Sequence, residues 1–161
     1  MSAVSEILIE RPGADFDRWT DLLDLIKNAF TYMDSVIDPP SSATLLTTES
    51  LIAKAHSETC FLAFDGDRIV GCIYIAERSD CLYVGKLAVA EVMQGRGLGK
   101  ALMRKAEILT LQCGKPALEL QTRVELAANQ AAFVRLGFRE TVRTAHAGYT
   151  RPTSITMRKV L

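Results

Sequence analysis

Apolar positions along this chain follow two rhythms. Steps of three and four link Phe16, Trp19, Leu23, Ile26, Phe30 and Met33, which sets them on one face of a helix opened by Asp15 as N-cap. That helix must stop before Asp38-Pro39-Pro40, because proline removes a backbone donor and restricts the residue before it. "TTESLIAKAHSE" predicts a second, short helix, after a long polar connection, "VIDPPSSATLL". Leu98, Leu102, Ala106 and Leu109 form a third stripe, ended by Gly114 with Pro116 two residues on. "LAANQAAFVRL" predicts a fourth helix, closed by Gly137-Phe138.

Between the helices lie β-rich runs. "ILIE" predicts a first strand, stopped by Arg11-Pro12-Gly13, and "CFLAFDGDRIVGCIYIAE" a hairpin turning at Asp65-Gly66. Both alternating faces of the hairpin's second arm are apolar, so that arm is expected in mid-sheet. "CLYVGKLAV", "ALELQT", "ETVRT" and "TSITMRKV" complete the strands. The order β-α-α-β-β-β-α-β-α-β-β predicts one α/β (α+β) domain over residues 1–161, a mixed central sheet with helices on both faces.

Composition narrows the function. Nineteen basic residues balance nineteen acidic ones in 161, which argues against a general nucleic-acid or membrane binder. Cys60, Cys72, Cys81 and Cys113 show no C-x-x-C pairing and have two histidines to join them; buried, reduced thiols are expected, and no metal site. "MSAVSEILIERPG" lacks the pattern of a signal peptide, and no apolar run could span a bilayer, so a cytoplasmic location is expected.

The chemistry concentrates in "MQGRGLGKALM", where Gly95, Gly97 and Gly99 stand at alternate positions before a helix. A Walker A loop requires one more residue between its glycines and a hydroxyl after the lysine, where this chain has Ala101. A dinucleotide fingerprint requires G-x-G-x-x-G after the first strand of a βαβ unit, which this even, late spacing does not meet. A helix N-terminus offers unpaired N–H groups and partial positive charge to an anion. Side chains at Gly97 and Gly99 would hold a pyrophosphate away, and Arg96 and Lys100 either add charge or are solvated surface.

"QGRGLG", residues 94–99, fits [RQ]-x-x-G-x-[GA], with "LAV" upstream and "NQAAFVRLGF" downstream. In these segments, and in the order of elements from end to end, the chain resembles the GNAT superfamily of acetyl-CoA-dependent N-acetyltransferases. The resemblance implies a sheet splayed between the fourth and fifth strands, with acetyl-CoA as cosubstrate. It assigns cofactor binding to Leu87, Ala88, Val89, Gln94, Gly95, Arg96, Gly97, Leu98, Gly99 and Lys100. The backbones of Leu87 and Val89 would pair with the pantetheine arm, and the Val89 N–H would receive the oxyanion; both side chains also suit simple core packing.

Two positions depart from the family. Many members carry a tyrosine that protonates the departing sulfur where this chain has Phe133. Either the thiolate leaves unaided, or another hydroxyl serves, or the protein binds acyl-CoA without turnover. The family asparagine aligns with Leu126, leaving Asn129 either a cofactor contact or a solvated helix residue.

Alternation puts Tyr83, Gly85 and Leu87 on one strand face. The resemblance marks position 83 as a frequent site of the general base. Tyrosine is a poor base at neutral pH, so Tyr83 is expected to order a proton-carrying water or to be an interior aromatic. Glu77 is the nearest carboxylate alternative, on the strand-ending "ERSD". Tyr32, Asp34, Tyr149 and Arg151, from the loops "YMDSVIDPPSS" and "HAGYTRP", are the candidate acceptor contacts, Arg151 suiting a carboxylate. The expected activity is acetyl transfer from acetyl-CoA to a primary amine, on a small molecule or a protein, by direct attack on the thioester. The rival is a non-catalytic acyl-CoA-sensing module. No nucleic-acid or membrane partner is expected, and both a monomer and a homodimer are open.

Overall fold

Each face of the sheet is apolar for a different helix, and this division organises the molecule. The computed structural model describes residues 6–161; the first residues of "MSAVSEILIERPG" lie outside them. The strands are β1 (Ile7–Glu10), β2 (Thr59–Asp65), β3 (Arg68–Glu77), β4 (Leu82–Val89), β5 (Ala117–Arg123), β6 (Arg139–Thr144) and β7 (Ser154–Val160). The helices are α1 (Trp19–Thr31), α2 (Thr48–Ser57), α3 (Leu98–Gln112) and α4 (Ala127–Arg135). Short 3₁₀ helices at Ser42–Leu45 and Glu91–Met93 break up two connections. No helix among the described residues is long and apolar enough to cross a membrane.

The seven strands form one sheet in the order β1-β2-β3-β4-β5-β7-β6. Neighbours run antiparallel except β4 and β5, which are parallel and joined by α3. On one face, Leu98, Leu102, Met103 and Ala106 of α3 pack against Ile73, Ile75, Leu82, Val84, Leu118 and Leu120. On the other, Leu22, Leu25 and Ile26 of α1 and Leu51 of α2 cover Cys60, Leu62, Cys72, Tyr74 and Ala88. Truncating a fully buried leucine of either layer to alanine costs about 2–5 kcal/mol. Gly71 lets α3 lie close: a Cβ there would stand 3.1 Å from Leu102 Cδ1 and 3.2 Å from Leu98 Cδ2.

The apolar stripe from Phe16 is real, but its first turn is not helical. Arg18, not Asp15, is the N-cap of α1, with no side-chain cap bond. The Phe16 N–H bonds the Gly13 carbonyl in a turn, and the Phe16 ring meets Trp19 edge-on at 4.9 Å. A turn thus places Phe16 where a helix would have. By contrast α2 starts with a reciprocal Thr47–Ser50 capping box.

Candidate active site

The parallel pair β4–β5 supplies the site by coming apart. Their register covers Leu82, Tyr83 and Val84 against Leu118, Glu119 and Leu120, and stops there, whereas β4 stays paired with β3 to Val89. The edge of β4 beyond Val84 therefore opens on a cleft of about 920 Å³.

Which backbone groups face the cleft follows from the ladder. The Ala90 N–H bonds the Val70 carbonyl at 2.8 Å, and bonded and non-bonded pairs alternate in antiparallel strands. Ala88 and Lys86, opposite Cys72 and Tyr74, thus exchange bonds with β3. Leu87 and Val89 turn their N–H and C=O groups the other way, toward the gap.

A bulge at Gly85 corrects the strand-face expectation. Ile75 pairs with Val84 and Tyr74 with Lys86, which leaves Gly85 as an extra residue. Leu87 packs with Leu82 and Val84 in the α3 layer, so Tyr83 and Leu87 point to opposite faces. Tyr83 lines the cleft from the α1 side, with the Arg78 guanidinium carbon 3.7 Å from its ring centroid. Burial pushes its phenol pKa up, against the lowering influence of Arg78. Tyr83 is therefore neutral near pH 7 and no direct base.

Beyond Val89 the cleft runs to the start of α3. Gly95 and Gly97 hold left-handed φ values of 77° and 82°, and a Cβ on either would enter open space. Gly97 is the N-cap residue, no side chain caps the helix, and its first backbone bond is from Ala101 N–H to the Gly97 carbonyl. The preceding N–H groups of this turn are unspent inside the helix and available to an anion. Gln94, Gly95, Gly97, Leu98, Gly99 and Lys100 all line the cleft. The exposed Arg96 does not.

On the opposite wall, Gln130 of α4 donates to the Arg123 and Val124 carbonyls, both at 3.0 Å, which fixes α4 against the end of β5. Asn129 and Phe133 consequently face the cleft. The Asn129 amide donates to the Tyr32 hydroxyl at 3.5 Å, a long contact that joins α4 to the end of α1. Phe133 sets its ring edge-on to the buried Phe138 at 6.1 Å.

Besides Arg96, four expected site residues lie outside the cleft lining. Glu77 is exposed at the end of β3 and pairs with Lys115 at 3.5 Å. Asp34 lines a separate, smaller depression beside Lys27 and Thr44. The Tyr149 hydroxyl donates to Asp38 at 2.5 Å, and Arg151 pairs with the same carboxylate at 3.4 Å. These two strap one loop to the other.

The lining also holds charged and titratable residues that the sequence pattern did not mark: Lys86, Arg123, Arg135, and His146 at the start of the loop "HAGYTRP". His146 binds Thr153 through both its backbone N–H, at 2.8 Å, and its ring Nδ1. Burial first, then Arg123, holds its pKa below the usual histidine value. It is a neutral imidazole at pH 7.

Comparison with known proteins agrees with this fold. An L-2,4-diaminobutyric acid acetyltransferase from Shouchella clausii is 30% identical over 112 residues, 65% of this chain; the match spans 62% of that relative's length. The PaiA N-acetyltransferase of Thermoplasma acidophilum, solved with coenzyme A, superposes with a TM-score of 0.79 at 14% identity, covering 97% of this chain and 99% of that one. A GNAT family acetyltransferase from Elizabethkingia anophelis, solved with acetyl-CoA, gives 0.70 at 19% identity, over 96% and 98%. The model of the acetyltransferase (GNAT) family matches residues 19–138. The chain belongs to that family.

Proposed function

We propose that this protein is an acetyl-CoA-dependent N-acetyltransferase acting on a primary amine. One observation carries the reading: an unpaired strand edge, Leu87 and Val89, leads across the β4–β5 gap to an uncapped helix N-terminus. The strand edge can pair with an extended amide-bearing arm as an added strand does. The helix start, with Gly97 and Gly99 keeping side chains out of the way, takes the pyrophosphate. Acetyl-CoA, when bound, supplies an activated acyl thioester.

Within this reading the chain's own groups do the following. The Val89 N–H, aimed at the gap, stabilises the oxyanion. Tyr83 orders the water that removes the acceptor's ammonium proton, since its own phenol stays protonated. The ammonium proton passes to solvent before attack; as the neutral amine attacks, the N–C bond forms, the C–S bond breaks and a second proton leaves nitrogen through the same water. The thiolate leaves and takes a proton from water, because Phe133 has none to give. Phe133 and Leu87 keep the gap apolar and exclude bulk water.

Release of coenzyme A from acetyl-CoA, followed with a panel of primary amines, tests the assignment. Acceptor-dependent release is expected. Tight acetyl-CoA binding with no release for any amine would favour the rival reading, a non-catalytic acyl-CoA sensor, which the phenyl ring at position 133 keeps in view.

A further inference from the structure

Two anchored cations on the α1 side of the cleft point to a ligand. On the α1 side of the sheet, Lys86 and Arg123 line the cleft and are anchored to one segment, residues 39–42. Lys86 Nζ donates to Ser42 Oγ at 2.8 Å. Arg123 Nη1 donates to the Pro39 carbonyl at 2.7 Å and Nη2 to the Pro40 carbonyl at 3.0 Å. These acceptors are uncharged: they orient both cations without neutralising either. Each cation keeps further N–H donors unspent.

No carboxylate is found among the described residues that line the cleft. Glu58, which acts on Lys86, is paired with Lys54 at 3.0 Å. Glu125, which acts on Arg123 together with Asp38, accepts the Asp38 N–H through one oxygen at 3.1 Å and buries the other without a partner. None of these carboxylates belongs to the lining. Burial is the main force lowering the pKa of both Lys86 and Arg123, and Arg123 lowers Lys86 further. Two partly dehydrated like charges facing one cavity are unfavourable by themselves, and an anion between them relieves both the repulsion and the lost hydration.

We infer that Lys86 and Arg123 form a carboxylate subsite, so that the acceptor is a small primary amine that also carries a carboxylate. The substrate class rests on the transferase reading; the anion site does not. A diamine without the carboxylate would bring a second ammonium toward two cations and is disfavoured. The strap from Tyr149 and Arg151 to Asp38 joins the two loops around this end of the cleft, which suits a small acceptor better than a polypeptide.

The test has two arms. In the first, turnover is compared within matched pairs of amines that differ by the carboxylate: ornithine and 1,4-diaminobutane, lysine and 1,5-diaminopentane, 4-aminobutyrate and propylamine. The carboxylated member is expected to lead in kcat/KM by ~10- to 100-fold, the scale of charge-assisted hydrogen bonds. Lys86→Met should abolish that lead with acetyl-CoA affinity intact, and Lys86→Arg should restore much of it. An equal or reversed preference, or a lead that survives Lys86→Met, overturns the inference.

The second arm reads the anion site without turnover. Pentanoate is titrated into the coenzyme A-saturated protein, and the Arg123 Nε–H signal is followed by nitrogen-15 spectroscopy. A saturable shift, absent with pentanamide and weakened by Lys86→Met, is expected. No saturable shift overturns the subsite. A shift in a protein that acetylates no amine keeps the subsite and refutes the transferase.

Discussion

Val84 and Leu87 share one face of β4 although three residues separate their numbers, because Gly85 is the extra residue of a bulge. The bulge turns the Leu87 and Val89 side chains into the α3 layer and leaves their backbones on the open edge. Tyr83, before the bulge, faces the α1 side. One strand thus presents backbone groups to the β4–β5 gap and a phenol to the α1 side of the cleft.

Tyr83→Phe should therefore separate the two ligands. With the ring kept, its packing beside Arg78 survives, so acetyl-CoA affinity and thermal midpoint should hold. Loss of the hydroxyl that orders the water should lower kcat by ~10²-fold, the usual scale for proton-transfer groups. Steady-state kinetics with calorimetric acetyl-CoA titration checks this. Normal turnover would make Tyr83 a packing residue.

Gly97→Val should damage the other end. The left-handed φ of 82° is strained for any β-branched residue, at a cost of about 1–3 kcal/mol. The ligand-free protein should thus melt earlier even though the new Cβ meets no neighbour. Acetyl-CoA affinity should fall by more than that strain explains, since the side chain projects into open space at the mouth of α3. Gly114→Val, at a left-handed φ of 69° outside the cleft lining and with open space at its Cβ, is the control for strain alone. Equal affinity losses in both would leave no specific role for position 97.

The glycine loop was readable in advance because its information is local: glycine spacing, a strand before, a helix after. The splay of β4 from β5 followed from the resemblance that this loop carries. The bulge was not legible, because strict alternation fits "LYVGKLAV" equally well and only pairing with β3 reveals the extra residue. Lys86 and Arg123 looked like ordinary strand charges. Contacts with residues 39–42, distant in sequence, hold them at the cleft wall. Arg151 illustrates the same distance: it pairs with the Asp38 carboxylate, over a hundred positions away, which its own loop does not announce.

Phe133→Tyr should keep acetyl-CoA affinity and leave kcat unchanged. A thiol is acidic enough, with a pKa near ~8.5 in the case of cysteine, for its thiolate to leave without a donor. Phe133→Ala should weaken acetyl-CoA binding and also stability, since the contact with Phe138 is lost. A marked rise in kcat for Phe133→Tyr would show that protonation of sulfur limits the native enzyme.

The thiols offer a test of the fold. Cys113 is exposed, while Cys60, Cys72 and Cys81 are buried. Burial pushes the Cys60 thiol up to about 12 and raises Cys72 and Cys81 as well. An aromatic disulfide reagent should modify one of the four thiols quickly in the native protein and all four in denaturant. Rapid modification of Cys60 or Cys72 would contradict the packing between the sheet and α1.

The pH dependence of acceptor binding should carry the signature of Lys86. Burial, Lys54 and Arg123 lower its pKa, while Glu58 and Cys72 oppose them. Its folded-state pKa therefore lies below the ordinary 10.5. As pH rises through that value the ammonium loses its charge, and KM for a carboxylated acceptor should climb while the propylamine KM does not. Across the same window the unfolded chain holds the proton that the folded chain has released, so stability from this group rises with pH. Acceptor affinity and this contribution to stability thus move in opposite directions. Lys86→Arg, whose guanidinium stays charged, should remove the alkaline rise in KM. If the rise persists in that variant, the titrating group is not Lys86, and Tyr83, whose pKa burial also raises, is the next residue to substitute.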